Sequence, residues 1–310
     1  MTTSSSNPST LRRLLLATDL SARCDRALDR AIAIAAETQA HLTVLHAFEE
    51  FQEDSLTYGA HPTPSWRAPP DAAAIAKTRI REALQADVGD AIEQAAIRIE
   101  DGEPAEVIER VAKSEAIELI VSGIAREGLF ASRPVILGRT VEKLLRRLPV
   151  PILIVRNRPR ARYRSILITT DFSEPSAHAL QVALGFFPGQ IMHLLHAFDV
   201  PYSRSLADPH RHADSLRQTY AMELAAFLDS MVLPEDARRR LVTLVEPGGA
   251  AELVREYVRD HRADLVVLGT HGRGALAEAL LGSTAKSILS SLPGDALVVR
   301  APLRSPPRER

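Results

Sequence analysis

Cysteine is all but missing from this chain. The single Cys24 excludes a disulfide within the chain and fits a reducing compartment. It stands in a helical pattern between Arg23 and Asp25, with nothing beside it that marks a nucleophile. Long apolar runs are missing too. None approaches the ~18 residues that a membrane-crossing helix needs, so no membrane partner is expected. The opening MTTSSSNPST has neither a cationic nor an apolar stretch, so it reads as a flexible tail and not a signal peptide. Charge of one sign is lacking as well: 38 Lys and Arg stand against 39 Asp and Glu, a net charge of −1. No overall field therefore favours nucleic acid or an anionic surface. These absences point to a soluble cytoplasmic protein.

What is present is a pattern of short apolar runs alternating with helical periodicities. A length of 310 residues suggests two domains of ~150 residues each. In the first half, strands are expected at 11–20, 41–47, 96–100, 119–122 and 151–155. Helices are expected at 21–39 (capped by Ser21), 71–94, 104–114 and 139–148. In the second half, strands are expected at 166–169, 191–196, 241–245, 265–268 and 296–299. Helices are expected at 173–187 (capped by Ser173), 207–231, 250–261 and from Gly282 to Pro293-Gly294. The halves repeat one another residue by residue. Leu14–Asp19 answers Ile166–Asp171, and Leu45-His46-Ala47-Phe48 answers Leu195-His196-Ala197-Phe198. Gly102–Glu106 answers Gly248–Glu252, and Leu137-Gly138-Arg139-Thr140 answers Leu281-Gly282-Ser283-Thr284. Strands alternating with helices imply α/β domains with parallel sheets covered on both faces. Ligands of such sheets bind past the carboxyl ends of the strands, where the strand order reverses.

The most informative stretch is 263–300. A buried strand at 265–268 runs into a loop with Gly269, Gly272 and Gly274, and a helix opens at Gly282-Ser283-Thr284. Glycine removes the Cβ that would obstruct a ligand, and a helix N-terminus with hydroxyls is suited to an anion, most often a phosphate. Taken alone, the same residues also fit a plain turn and a helix cap.

The spacing Gly269, two residues, Gly272, nine residues, Gly282-Ser283 resembles the nucleotide-binding signature of the universal stress protein family. The flanking strand and helix stand where that family has them, and the likeness covers nearly the whole chain as two tandem domains, 9–157 and 163–301. The resemblance implies two doubly wound, Rossmann-like domains of the adenine nucleotide alpha hydrolase kind, packed as a pseudo-dimer. It places the strands at 152–155 and 297–300 against each other, and a homodimer of chains is a further assembly open to it. It implies a regulatory, ATP-binding module of the stress response, with ATP held with or without Mg²⁺. Gly269, Gly272, Gly282, Ser283 and Thr284 would hold phosphates. Thr170 and Asp171 would meet the adenine or ribose, and Ala197, just past the second strand, would lie against the base.

Several residues keep two readings. Asp171 is either a ligand contact or a turn residue before Ser173. Arg273 can neutralise phosphate as a bidentate donor or stand as a solvated loop residue. His271 reads as ribose-contacting or solvent-facing, because no carboxylate is positioned to orient it, and no acidic pair is set to hold Mg²⁺ as an NTPase requires. No catalytic residue is therefore assigned. His210 and His212 form a lone HxH pair, for which no metal is expected. A slow ATP hydrolase or nucleotidyl-transfer enzyme, and an interaction scaffold without nucleotide, remain alternatives.

The first half departs from the signature. Arg126 replaces the second glycine, fourteen residues separate Gly123 from Gly138 against twelve between Gly269 and Gly282, and Arg139 stands where the second half has Ser283. Its nucleotide loop is expected to be degenerate. Between the halves, 156–164 places arginine at every second position, which reads as a solvated linker.

Overall fold

The computed structural model describes residues 10–21, 24–48, 72–89, 95–124, 138–200, 208–270 and 281–301. The first half runs β1 (Arg13–Thr18), α1 (Asp25–Thr38), β2 (His41–Phe48), α2 (Ala72–Val88), β3 (Ala95–Asp101), α3 (Pro104–Ser114), β4 (Leu119–Gly123), α4 (Arg139–Arg147) and β5 (Ile152–Val155). The second runs β6 (Ser165–Thr169), α5 (Glu174–Phe186), β7 (Ile191–Phe198), α6 (Pro209–Asp229), α7 (Glu235–Arg239), β8 (Leu241–Pro247), α8 (Ala250–His261), β9 (Leu265–Gly269), α9 (Ser283–Ser291) and β10 (Asp295–Val299).

The strands form one sheet in the order β3-β2-β1-β4-β5-β10-β9-β6-β7-β8. Within each half every pairing is parallel, and the order reverses between β1 and β4 and again between β6 and β9. The halves join where β10 pairs antiparallel with β5, Leu297 opposite Leu153. The two terminal strands thus meet as expected, and each half closes an edge that would otherwise present unpaired backbone.

Three consecutive leucines of β1, Leu14, Leu15 and Leu16, are each 0% exposed, the mark of a strand covered on both faces. Leu14 and Leu16 pack with residues of α1, α5, α6 and the end of α2, whereas Leu15 packs with residues of α3, α4, α8 and α9. The alternation of side chains along a strand sends neighbours to opposite layers.

Several local expectations need correction. Ser21 does not cap α1. The helix starts at Asp25 with Cys24 in the cap position and no side-chain cap, and the Ser21 carbonyl accepts from the Cys24 N–H instead (2.7 Å). Ser173 does cap α5, accepting from the Ser176 N–H. β7 extends to Phe198, so Ala197 lies within the strand and not past it, because β8 pairs with β7 through Phe198. The short helix α7 was not anticipated. Residues 49–71, between β2 and α2, lie outside the described residues.

The linker is only partly a solvated strip. Arg158, Arg160, Arg162 and Arg164 are exposed, but Tyr163 is buried. The cause is Asp295, 1% exposed at the start of β10. It accepts from the N–H groups of Arg156 and Asn157 (2.8 and 2.9 Å) and from the Tyr163 hydroxyl (2.7 Å). Arg30 of α1 stacks over the Tyr163 ring at 4.0 Å, approaches Asp295 at 3.8 Å and donates to the Ala161 carbonyl (2.9 Å). One buried carboxylate therefore ties the linker, the last strand and the first helix together.

Candidate functional site

Past the end of β6 the chain makes a tight turn. The Thr170 N–H donates to the Leu195 carbonyl (2.9 Å), and the Thr170 hydroxyl accepts from the Phe172 N–H (3.0 Å) and bonds with the Ser176 hydroxyl (2.9 Å). Asp171 accepts from both the N–H and the hydroxyl of Ser173. Phe172 is left in the left-handed region at φ 64°. Its ring stacks on His196 (centroids 4.1 Å apart), whose Nδ1 lies 3.0 Å from the Thr170 carbonyl. Packing behind the turn holds it in a conformation that costs an ordinary residue ~1–3 kcal/mol.

Beside it, β9 ends at Gly269. The Thr270 N–H donates to the Val299 carbonyl (3.0 Å), and the Thr270 carbonyl accepts from the Gly282 N–H (2.8 Å). The chain thus leaves the sheet and returns at one pinned point. A Cβ on Gly282 would meet the Thr270 carbonyl oxygen at 3.3 Å, and one on Gly269 would touch the Pro175 backbone at 3.4 Å. Close backbone packing alone accounts for both glycines. His271, Gly272 and Arg273 lie outside the described residues.

From Gly282 helix α9 begins with no side-chain cap, and its first intrahelical bond runs from the Lys286 N–H to the Gly282 carbonyl (2.9 Å). The N–H groups of the first turn, with the Ser283 and Thr284 hydroxyls, open on a cleft of about 950 Å³. A second helix start faces the same space. Gly248 has φ 139°, a value open to glycine, and Gly249 stands at the cap position of α8, again without a side-chain cap.

The cleft brings together Thr170, Asp171, Ala197, Gly269, Gly282, Ser283 and Thr284. It also has lining residues that sequence reasoning did not assign: Gly248, Gly249, Glu252, Asp199, Thr270 and Ser287. The match of Gly102–Glu106 with Gly248–Glu252 was the signal available for the first three. The cleft volume lies within the range of small-molecule sites. Among the described lining residues there is no Lys, Arg or His. An anion there would be met by helix N–H groups, the positive ends of two helix dipoles and hydroxyls. No group of three or more potential metal ligands occurs among the described residues. There too, no helix is long and apolar enough to cross a membrane.

The first half repeats the turn's backbone bonds to the threonine and aspartate side chains, though not its serine hydroxyl bonds. Thr18 accepts from the Leu20 N–H (3.1 Å), Asp19 accepts from the Ser21 N–H (2.9 Å), and Leu20 has φ 60°. His46 Nδ1 lies 2.9 Å from the Thr18 carbonyl.

Comparison with known proteins agrees with this repeat. The universal stress protein family matches residues 10–156 and again 162–300. Universal stress protein E of Salmonella typhi is 28% identical over 172 residues, covering 51% of this chain and 53% of that protein. The chain thus spans about half the length of the curated relatives first matched. A universal stress protein of Thermus aquaticus is 32% identical over 140 residues, 44% of this chain and 99% of that protein. In fold, the crystal structure of a universal stress protein from Archaeoglobus fulgidus matches at a TM-score of 0.61 and 19% identity, covering 93% of this chain and 98% of that one.

Proposed function

Because the chain belongs to the universal stress protein family, a family of the stress response, we propose that its second half is a nucleotide-binding regulatory module that takes ATP in the cleft above β6 and β9. The observation that carries this is the uncapped start of α9, with Ser283 and Thr284, opening on the cleft opposite Thr170 and Asp171. The helix N–H groups and the two hydroxyls hold the phosphates. The turn at Thr170–Asp171 meets the ribose or base, and Ala197 lies against the base. Gly272, Arg273 and His271 belong to the loop that completes the phosphate side. ATP binds with or without Mg²⁺.

The chain holds one nucleotide, in its second half. Arg139 stands at the start of α4 where Ser283 starts α9, and a cation there opposes the helix dipole. The first half serves as the folded partner of a pseudo-dimer joined through β5 and β10.

Thermal unfolding with ATP tests this. A ligand at a hundred times its dissociation constant adds ~2.7 kcal/mol to the state that binds it. The wild-type melting temperature should rise, and Ser283→Arg should abolish the rise. No shift at millimolar ATP, with or without Mg²⁺, refutes the reading.

A further inference from the structure

The two halves share strand order, turn geometry and helix starts, so the same positions can be compared directly. Gly102 and Gly248 both have large positive φ, 129° and 139°, and immediately precede the cap residues of α3 and α8. Gly138 and Gly282 are the cap residues of α4 and α9, both extended and without a side-chain cap. Counting from these glycines, Glu103 corresponds to Gly249 and Lys143 to Ser287. Gly249 and Ser287 both line the cleft of the second half.

In the first half those positions touch. Glu103 caps α3, accepting from the Glu106 N–H (3.1 Å), and its other oxygen accepts from the Lys143 ammonium (2.8 Å). The Lys143 bond, with the backbone N–H groups adding to it, holds the Glu103 carboxyl below its ordinary range. One turn further on, Arg147 lies 3.9 Å from both Glu106 and Glu109. The counterparts of Glu109 and Arg147 are Arg255 and Ser291, and Arg255 reaches back to Glu252 on its own helix (3.7 Å). The seam between α3 and α4 is therefore bridged by charge, and the seam between α8 and α9 is not bridged at the matching positions.

We propose that the first half supplies its own anion: the Glu103 carboxylate, clamped by Lys143, occupies the space that the second half leaves open to ligand, and this contact, together with Arg139 at the start of α4, limits the chain to one nucleotide. The inference rests on the nucleotide reading of the second half. Two effects act together. The Glu103 side chain already satisfies the α3 helix start, so an incoming phosphate finds a carboxylate there and not free N–H groups. The Lys143 side chain then crosses from α4 to α3 over the gap that Ser287 is too short to span.

Calorimetric titration of the full chain with ATP tests this. Wild type should bind one equivalent and Ser283→Arg none. Adding Arg139→Ser, Glu103→Gly and Lys143→Ser to Ser283→Arg should restore one equivalent, now in the first half, whereas adding Arg139→Ser alone should restore none. A variant with all four changes that folds and binds nothing overturns the proposal, as does binding in the first half when Arg139→Ser is the only change there. A wild-type stoichiometry of two overturns it while leaving the nucleotide reading intact. No binding by wild type overturns that reading and this inference with it. Should the four-change variant not fold, amine labelling of wild type decides: Lys143 should label equally with and without saturating ATP, and protection by ATP refutes the proposal.

Discussion

Replacing Tyr163 by phenylalanine removes one hydroxyl from the contact that ties the linker to the body, and leaves nearly everything else in place. The ring still meets Phe187 edge-on at 5.6 Å and still lies under Arg30 at 4.0 Å. Asp295 keeps the Arg156 and Asn157 N–H groups and the neighbouring Arg30. What is lost is a 2.7 Å hydrogen bond to a carboxylate that is 1% exposed. Bonds to charged groups contribute ~1.5–3 kcal/mol, and the remaining donors place this one near ~1.5. Asp295→Ala goes further: it strands the Tyr163 hydroxyl, two N–H groups and the Arg30 cation, at ~3–5 kcal/mol. Urea unfolding followed by circular dichroism measures both. A pH series adds a second readout. Burial first, then the Asp295 charge, raises the Tyr163 pKa well above its ordinary value, whereas the unfolded chain titrates near 10.0. The stabilisation is therefore complete below about pH 10 and is lost as pH climbs toward the folded value. Tyr163→Phe should lose less stability than wild type in that alkaline range. A phenylalanine variant within ~0.5 kcal/mol of wild type, with the same alkaline slope, refutes this account of the linker.

Two matched pairs of substitutions test the local geometry by the same unfolding assay. Gly248→Ala forces a side chain into φ 139° with Leu253 only 3.4 Å away and should cost ~1–3 kcal/mol, whereas Gly249→Ala meets nothing within 4 Å and should stay within ~0.5; equal costs would show that the turn before α8 is not strained. Ser173→Ala removes the cap of α5 and should cost ~1 kcal/mol, whereas Ser21→Ala deletes a buried hydroxyl with no partner and should be close to neutral; a larger loss at Ser21 would refute the difference drawn between the two helix starts.

The strands were legible because buried parallel strands are written as unbroken apolar runs, such as Leu119–Val121 and Leu265–Leu268. The meeting of β5 and β10 was legible for the same reason: two such runs at the ends of matching halves each need a partner. The cleft was half legible. Ser283 and Thr284 announce a helix start, but the contribution of α8 depends on residues brought close by the sheet order, not by neighbouring sequence. Caps were less legible still. Ser21 and Ser173 occupy the same repeat position, yet one caps and the other does not, because α1 begins later than α5. Asp295 carried no signal at all. A lone acidic residue at the head of a strand looks like a turn residue until folding delivers Tyr163, Arg30 and the linker N–H groups to it.

The repeated turn constrains how the cleft is to be interpreted. Thr18-Asp19-Leu20-Ser21 and Thr170-Asp171-Phe172-Ser173 place a non-glycine residue at φ 60° and 64°. Both close the same pair of bonds, from residue three to the threonine hydroxyl and from the serine N–H to the aspartate. Both carry a histidine Nδ1 against the threonine carbonyl. A strained turn persists only where its surroundings over-determine it, and here they do so in both halves. The turn therefore belongs to the way β1 and β6 hand over to their helices, and its geometry alone does not separate a binding half from a non-binding one. Among the described positions that differ between the halves, three exchange a charged side chain for a small uncharged residue beside the cleft: Glu103 against Gly249, Arg139 against Ser283, Lys143 against Ser287. Each change removes a long charged side chain from the second half, and each vacated position borders the cleft. Backbone common to both halves builds the platform, and under the proposal above the three side chains on the facing helices separate a filled space from an open one.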